Sequence, residues 1–305
     1  MKNRENAPRK FESLSELHRI LGLPKPLHPL ISLVENKENE IDVTKLPGSF
    51  IHDFYKISYK KKLSGKIKYG QGYYDFDEGG LLFKAPMQVS ANADINQDHS
   101  GFTLLFHPDF LAGYPLAKKI KQYGFFSYSV HEALHLSDKE KITIISIFKN
   151  IEEELQNRLD DVSQDLIVSQ IETLLNYSNR FYRRQFITRK SVNNNLLEKL
   201  EAILEDYFRA GRSMTQGIPT VQYLADALNM SPGYLSDMLR SLTGQNAQQQ
   251  IHYKLIEKAK EKISTTNLSI SEIAYELGFE HPSSFNKLFK SKTNLSPLEF
   301  RQSFN

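Results

Sequence analysis

One short pattern occurs twice in the C-terminal third of this 305-residue chain, and it restricts what that third can fold into. The first copy, from Val221, reads VQYLADALNMSPGYLSDMLRSLTG; the second, from Ile270, reads ISEIAYELGFEHPSSFNKLFKSKTN. Each opens with a short amphipathic stretch whose fifth residue is small, Ala225 and Ala274. The ninth residue, Asn229 or Gly278, tolerates a left-handed turn. A second stretch then carries apolar residues at helical spacing: Leu235, Met238 and Leu239 in one copy, Phe285, Leu288 and Phe289 in the other. The small residue lets two helices cross closely, the turn residue reverses the chain, and the apolar stripe fixes the second helix to the first. The spacing therefore predicts two helix-turn-helix units, over 221–242 and 270–291, each leaving one face of its second helix open to a groove of DNA.

In the first unit Ser231 stands at the N-cap and Pro232 at the first helical position. With Leu235, Met238 and Leu239 inward, the open face is expected to carry Gly233, Tyr234, Ser236, Asp237 and Arg240. Arg240 suits a phosphate or guanine, while Asp237 either accepts from cytosine or pairs with arginine. In the second unit the open face is expected to carry His281, Ser283, Asn286, Lys287 and Lys290. Asn286 suits adenine, Lys287 suits guanine or phosphate, and Lys290 suits phosphate. Between the units, Ala247 to Ile263 puts Ile251, Leu255, Ile256, Ala259 and Ile263 on one helical face. A helix of that length, ~25 Å, can hold two recognition helices in major grooves about one turn (~34 Å) apart. This arrangement requires Tyr234 and Asn286 to be open on the same side of the molecule; placement on opposite sides, or burial of either, overturns it unless a hinge realigns them.

Charge supplies less support than a nucleic-acid partner ordinarily suggests. The chain carries +3, and from Ile218 onward nine Lys/Arg stand against eight Asp/Glu, a net of +1. An electrostatic footprint must then come from placement, and Lys287, Lys290 and Lys292 cluster on and beside the second recognition helix. The acid-free run Arg180, Arg183, Arg184, Arg189 and Lys190 is either a solvated helix face or linker, or a phosphate contact. Cysteine is absent, which excludes disulfides and thiolate metal sites and fits a reducing cytoplasm. The polar start MKNRENAPRKFESL lacks the apolar region of a signal peptide, and no apolar run approaches the ~20 residues of a membrane span. A cytoplasmic protein with no membrane partner is expected.

Upstream the pattern changes. Residues 12–22 read as a short helix ended by Gly22 and Pro24. From Leu27 to Phe106, the segments FIHDFYKISYKK, GKIKYGQGYYDF, GLLFKAPMQVS and GFTLLF are separated by SG, DEGG and NQDHSG turns. This predicts an antiparallel sandwich or small barrel of about six to eight strands, with a hairpin turning at DEGG. Phe54, Tyr59, Tyr73, Phe76 and Phe83 either hold a ligand or form an ordinary core. A Ser137–Glu140 capping box opens a helix striped by Ile144, Ile147, Phe148, Ile151 and Leu155. A second helix follows through Ile167, Ile171, Leu174 and Leu175, and the two stripes must pack on the barrel, on each other or on a second copy of the chain. The basic, then polar stretch RFYRRQFITRKSVNNN, around 180–195, reads as a domain boundary before a helix over Leu196–Phe208. The expected fold is thus two domains: residues 1–190, a β-rich barrel with antiparallel helices at about 138–180, and residues 191–305, all-α.

The stretch IHYKLIEKAKEKISTTNLSISEIAYELGFEHPSSFNKLFKSKTNLSPLEFR resembles the C-terminal domain of AraC/XylS-type transcriptional regulators. The matches are Ile273-Ala274 with Leu277-Gly278-Phe279, Ser284-Phe285, Phe289-Lys290, and Ser296-Pro297 with Phe300-Arg301. The resemblance covers roughly residues 200–305 and implies two helix-turn-helix subdomains on a long helix, binding double-stranded DNA and recruiting or obstructing RNA polymerase. Two features depart from the family: Asn294 stands where Gly is common, and NAQQQIHYKLI lacks an aromatic near Gln250 and an Arg near Leu255. The strand-rich N-terminal region resembles the family's cupin-like sensor domain. That implies a homodimer formed through the helices at about 138–180 and room for a small-molecule effector, with no cofactor and no enzymatic activity.

Two catalytic readings compete. HEALH at His131–His135 matches the H-E-x-x-H zinc pattern, with Glu152, Glu153 and Glu154 near the distance of a third ligand, so a metal-dependent hydrolase is the alternative. The pattern requires both histidines on one face of a continuous helix, whereas FFSYSV upstream reads as extended and Ser137 starts a new helix. Packing or surface histidines are expected instead. A metal-dependent cupin would need two histidines one residue apart on a strand, and His52, His99 and His107 never have that spacing.

Overall fold

The computed structural model describes residues 8–36, 45–62, 67–69, 72–74, 79–91, 100–157, 160–188 and 190–304. The chain divides into two compact units, Met1–Thr188 and Arg189–Asn305. Unit 1 is rich in strands and unit 2 is helical.

Unit 1 begins with β1 (Arg9–Phe11) and α1 (Leu14–Leu21). Ser13 caps α1 by accepting from the Glu16 backbone N–H, and Gly22 ends it in a left-handed conformation, as the Gly-Leu-Pro stop signal implies. Then come β2 (Ile31–Asn36), β3 (Ser49–His52), β4 (Tyr55–Lys60), β5 (Ile67–Tyr69), β6 (Gly72–Tyr74), β7 (Gly80–Lys84), β8 (Ser90–Ala91) and β9 (Gly101–Phe106). They are followed by α2 (Leu116–Lys119), β10 (Leu134–His135), α3 (Asp138–Gln156) and α4 (Asp161–Thr188). The main sheet has the order β10-β7-β4-β9-β2 and every pairing in it is antiparallel. A smaller sheet, β1-β3-β8, includes one parallel pairing, β1 with β3.

Strand alternation sorts the main sheet into two unlike faces. Tyr55, Ile57 and Tyr59 of β4 share one face with Leu81, Phe83, Phe102, Leu104 and Phe106, all buried. The two long helices pack against this face, with Phe102 stacked on Phe148 of α3 and Phe83 tilted against Tyr182 of α4. The opposite face carries Lys56, Ser58, Lys84 and Thr103, with Leu105 at its end. Leu105 is buried against Phe11, Phe50 and Phe54 of the small sheet and its flanks.

Several expectations change here. Among the described residues the strands form open sheets and close no barrel. Asp77 and Glu78 of the expected DEGG turn lie outside the described residues; among the described strands β5 pairs with β6, while β7 pairs with β4 and β10. Tyr59, Phe83 and Phe54 are core residues; Phe76, His99 and Arg189 lie outside the described residues, as do the side chains of Tyr73 and Lys190. The stretch at 180–195 is helical in its described residues, since α4 continues to Thr188 and α5 starts at Lys190. Its inward stripe of Phe181, Tyr182, Gln185 and Phe186 is masked in the sequence by the intervening arginines and glutamine.

That stripe holds the HEALH segment. Gln185 accepts from the His135 N–H at 2.9 Å and donates to the Ala133 carbonyl at 3.2 Å. Tyr182 donates to the Glu132 carbonyl at 3.0 Å, and Arg184 donates to the His135 carbonyl at 2.7 Å while pairing with Glu140 at 2.6 Å. Arg184 is therefore a structural clasp in this basic run. The HEALH residues form a 3-10 turn, Val130–Glu132, and then a strand, with His131 exposed and His135 buried. The two histidines share no helix face, and the Glu132 carboxylate accepts from the Ser129 N–H at 2.7 Å. His107 caps a 3-10 turn by accepting from the Asp109 N–H. No helix among the described residues is long and apolar enough to cross a membrane.

Unit 2 contains α5 (Lys190–Arg209), α6 (Arg212–Gln216), α7 (Val221–Ala227), α8 (Pro232–Thr243), α9 (Ala247–Thr265), α10 (Ile270–Glu276), α11 (Pro282–Thr293) and α12 (Pro297–Gln302). An Asn246–Gln249 capping box starts α9, which buries Ala247, Ile251, Leu255, Ile256, Ala259 and Ile263. The last four of these join Ile273, Ala274, Leu277, Phe279, Phe285 and Phe289 in one core. A second tie runs through α6. Ser213 donates to the Glu276 carbonyl at 2.6 Å, Tyr207 donates to the Gly217 carbonyl at 3.0 Å, and Gly278 lies directly against the Gly217–Ile218 backbone. A Cβ on Gly278 would stand 2.6 Å from the Gly217 carbonyl carbon.

Two stability measurements check these contacts by thermal unfolding of the full chain. Gln185→Leu strands a buried N–H and a buried carbonyl and should cost about 1–3 kcal/mol; an unchanged melting point would mean the α4 clasp is idle. Gly278→Ala adds overlap with backbone to left-handed strain at φ 92°, whereas Gly244, φ 78°, has no atom within 4 Å of its Cβ position. Gly278→Ala should therefore cost clearly more than the ~1–2 kcal/mol of strain expected for Gly244→Ala; equal costs would contradict the contact.

Candidate nucleic-acid interface

Local chemistry builds both turns. Thr220 caps α7 by accepting from the Tyr223 N–H at 3.1 Å, and Leu224 and Ala225 are fully buried. Asn229 takes φ 54°, and the Met230 N–H returns to the Ala225 carbonyl at 2.9 Å. Ser231 then caps α8 by accepting from the Tyr234 N–H, with Pro232 at the first turn. In the second unit Ser269 and Glu272 form a capping box on α10, and Ile273 and Ala274 are fully buried. Gly278 makes the left-handed turn, and the Phe279 N–H returns to the Ala274 carbonyl at 3.0 Å. Asn294 ends α11 with φ 61°, so the asparagine adopts the conformation for which glycine is the usual choice.

The two second helices present different surfaces. On α11 Phe285 and Phe289 are fully buried and Leu288 packs at the edge of the core. His281, Ser283, Asn286, Lys287 and Lys290 are all exposed together. On α8 Leu235, Met238 and Leu239 are buried, Arg240 is exposed, and Ser236 and Asp237 are partly exposed. Tyr234 departs from expectation. Only 2% of it is exposed, so it lies in the core, and the paired-head arrangement fails as the sequence drew it; any open face on α8 rests on Ser236, Asp237 and Arg240 instead. The reason is geometric: Tyr234 sits one turn before Met238 and beside Leu235, which widens the apolar stripe of α8 to include it. The residue at the matching place in the second repeat, Ser284, is exposed. Comparing the repeats position by position would have flagged both, because one copy puts a large ring where the other puts a small hydroxyl.

Electrostatics separate the heads further. Arg240 is bound to Asp237 at 2.8 Å, the arginine pairing that the sequence allowed for this acid. Elsewhere in unit 2 five more cations are matched: Arg209 and Arg212 to Asp206, Lys254 and Lys258 to Glu205, Lys262 to Glu276. Lys258 and Lys254, in turn, hold the Glu205 carboxyl below its usual range. Lys287, Lys290 and Lys292 are exposed and belong to none of the ion pairs among the described residues. Glu299 is held below the usual carboxylate range mainly by its bonds to Ser296, with Lys290 adding a smaller attraction. The near-neutral total thus conceals a local surplus of positive charge along α11.

A family model described as a helix-turn-helix domain matches residues 224–303. The chain is 24% identical over 253 residues to the HTH-type transcriptional regulator YfiF of Bacillus subtilis (strain 168), covering 82% of this chain and 77% of that protein. It is 31% identical over 121 residues to the HTH-type transcriptional activator RhaS of Enterobacter sp. (strain 638), covering 39% of this chain and 41% of that protein. Among solved structures, the C-terminal domain of the two-component response regulator yesN from Fusobacterium nucleatum is 34% identical, covering 35% of this chain and 98% of that one, with a TM-score of 0.31. The chain thus spans most of YfiF but less than half of RhaS. With two helix-turn-helix units seated on one shared helix, inside the span that the domain model matches, unit 2 carries a helix-turn-helix DNA-binding domain of the AraC type, and the chain is similar to transcriptional regulators.

Proposed function

We propose that unit 2 binds double-stranded DNA sequence-specifically, with α11 as the principal reading helix and α8 as a weaker second. The observation that carries this reading is the clustering of three exposed lysines outside any described ion pair on and beside α11, in a unit where Arg209, Arg212, Arg240, Lys254, Lys258 and Lys262 are each matched to a carboxylate. Cations free of protein carboxylates exchange condensed counterions on DNA for phosphate contacts and bind through that release. Lys290 meets phosphate, Lys287 meets guanine or phosphate, and Asn286 presents a donor and an acceptor that match an adenine edge. His281 and Ser283 flank them at the start of the helix. On α8, Arg240 and Ser236 make the contacts, with Asp237 holding Arg240 in place until phosphate competes for it. Both heads enter successive major grooves from one face.

Unit 1 is, in this reading, the cupin-like dimerisation and sensing part, with α3 and α4 as the helices that join two copies. The protein acts by binding and by engaging RNA polymerase, in the cytoplasm, without a cofactor or a catalytic step. The non-helical HEALH segment supports this over a hydrolase.

Selection of bound duplexes from a random pool by the full chain should return a motif with two blocks about one helical turn apart; a single block would reject the second head. With that duplex, Lys287→Ala should weaken binding by about 1–3 kcal/mol with relaxed preference at one base, or uniformly with a salt slope smaller by about 1 if it meets phosphate. An unchanged affinity and footprint would remove Lys287 from the interface. Asp237→Asn frees Arg240 and should tighten non-specific binding and steepen its salt dependence by about 1. A flat response would remove Arg240 from the phosphate contacts.

A further inference from the structure

The polar face of the main sheet in unit 1 holds an arrangement that folding alone does not explain. Lys56 of β4 and Lys84 of β7 are directly opposite each other in register. Like charges in that relation destabilise a sheet. No carboxylate pairs with either among the described residues. Lys84 donates to the buried Ser90 hydroxyl at 2.7 Å, and Ser90 lies on β8, beside β3. His52, at the end of β3, is 1% exposed, stacks on Phe54, and has no hydrogen-bond partner on either ring nitrogen. Both lysines stand near enough to His52 to oppose its protonation, and with burial as the main cause they bring it down to about 4. Burial chiefly, then Lys84 and Lys60, pushes the Lys56 ammonium down to about 7.

The backbone around the cluster is also constrained. The segment from Lys84 to Ser90 contains Met87 at φ 66°, a left-handed conformation unfavourable for methionine, and its N–H is fixed to the His52 carbonyl at 2.9 Å. Such conformations persist where the surroundings over-determine them, and they concentrate at binding sites. Both lysines remain partly exposed, so a solute can reach them.

Two ammonium groups with no carboxylate partner among the described residues, a buried imidazole with an unused N–H, and a serine hydroxyl make a set of donors suited to an acceptor carrying negative charge. We propose that His52, Lys56, Lys84 and Ser90 form a binding site for a small oxyanion in unit 1. The anion accepts from both ammonium groups and from the imidazole N–H, which relieves the like-charge pair. This deepens the sensing role proposed for unit 1.

The test uses the full chain without DNA, so its failure leaves the DNA-binding reading standing and a failure in DNA binding leaves this one standing. Thermal unfolding and calorimetry are run with inorganic phosphate in one arm and sodium benzoate in the other, each against sodium chloride at equal ionic strength. A saturable rise in melting temperature is expected in one arm, which identifies phosphate or carboxylate as the source of the anion. Lys56→Met and Lys84→Met should each weaken that response at least about tenfold, as loss of one partner of a buried charge pair does. Without anion, Lys56→Met should melt no lower than the unaltered chain, since it removes a charge facing its like. No saturable response in either arm, an undiminished response in both variants, or a lower melting point for anion-free Lys56→Met would each overturn the proposal.

Discussion

Both helix-turn-helix units depend on one buried stripe along α9. Its first residues, Ala247 and Ile251, are fully buried beside α7 and α8, and Leu255 to Ile263 belong to the core of the second unit. Each buried Leu or Ile on such a stripe contributes roughly 1.5–3 kcal/mol, so neither unit can slide along the helix without exposing several of them. A helix alone would still leave the second unit free to rock about its end. The close approach of Gly278 to Gly217 and the Ser213–Glu276 bond remove that freedom by tying the second turn to the loop before the first unit. The spacing of the heads is therefore set by a triangle of contacts and not by a single rod.

Within this rigid frame the two heads have diverged. Their scaffolds repeat, with an alanine at the crossing, a left-handed residue in the turn and a proline at the start of the second helix. Their outer faces do not. Asp237 matches Arg240 on α8, while the corresponding stretch of α11 carries Lys287 and Lys290, which form no ion pair among the described residues. In the proposed DNA complex, a neutral head and a cationic head on one frame would give unequal shares of the phosphate-derived affinity, which scales with the number of cations that displace counterions.

Unit 1 separates its tasks by strand alternation. One face of the main sheet is apolar and is covered by α3 and α4; the other is polar and cationic. The apolar face accounts for the stability of the unit, so the polar face is free to carry groups that folding would not select. The Gln185, Tyr182 and Arg184 bonds to residues 132–135 extend the covered face to its edge strand, which explains why the histidines there are placed by the sheet and not by metal geometry.

Much of unit 2 was legible in the residues because its structure is specified locally. Caps, turn residues and apolar spacing act over a few positions, and Ala225, Ala274, Asn229, Gly278 and the α9 stripe all read directly from the chain. The same reasoning found the capping box of α3 and the end of α1. What stayed hidden required distant partners. Tyr234 was misplaced because an amphipathic ring can serve either face, and only the width of the cleft it meets decides. The helical run through 180–188 was obscured because polar Gln185 faces inward to satisfy backbone groups some fifty positions earlier in the chain. By itself the sequence determined the paired reading units and their shared helix, since those rest on short-range periodicity. Tertiary structure alone decided which charges are matched, where Tyr234 goes, and that two lysines face each other across strands, since pairing and burial depend on segments that meet only once the chain has folded.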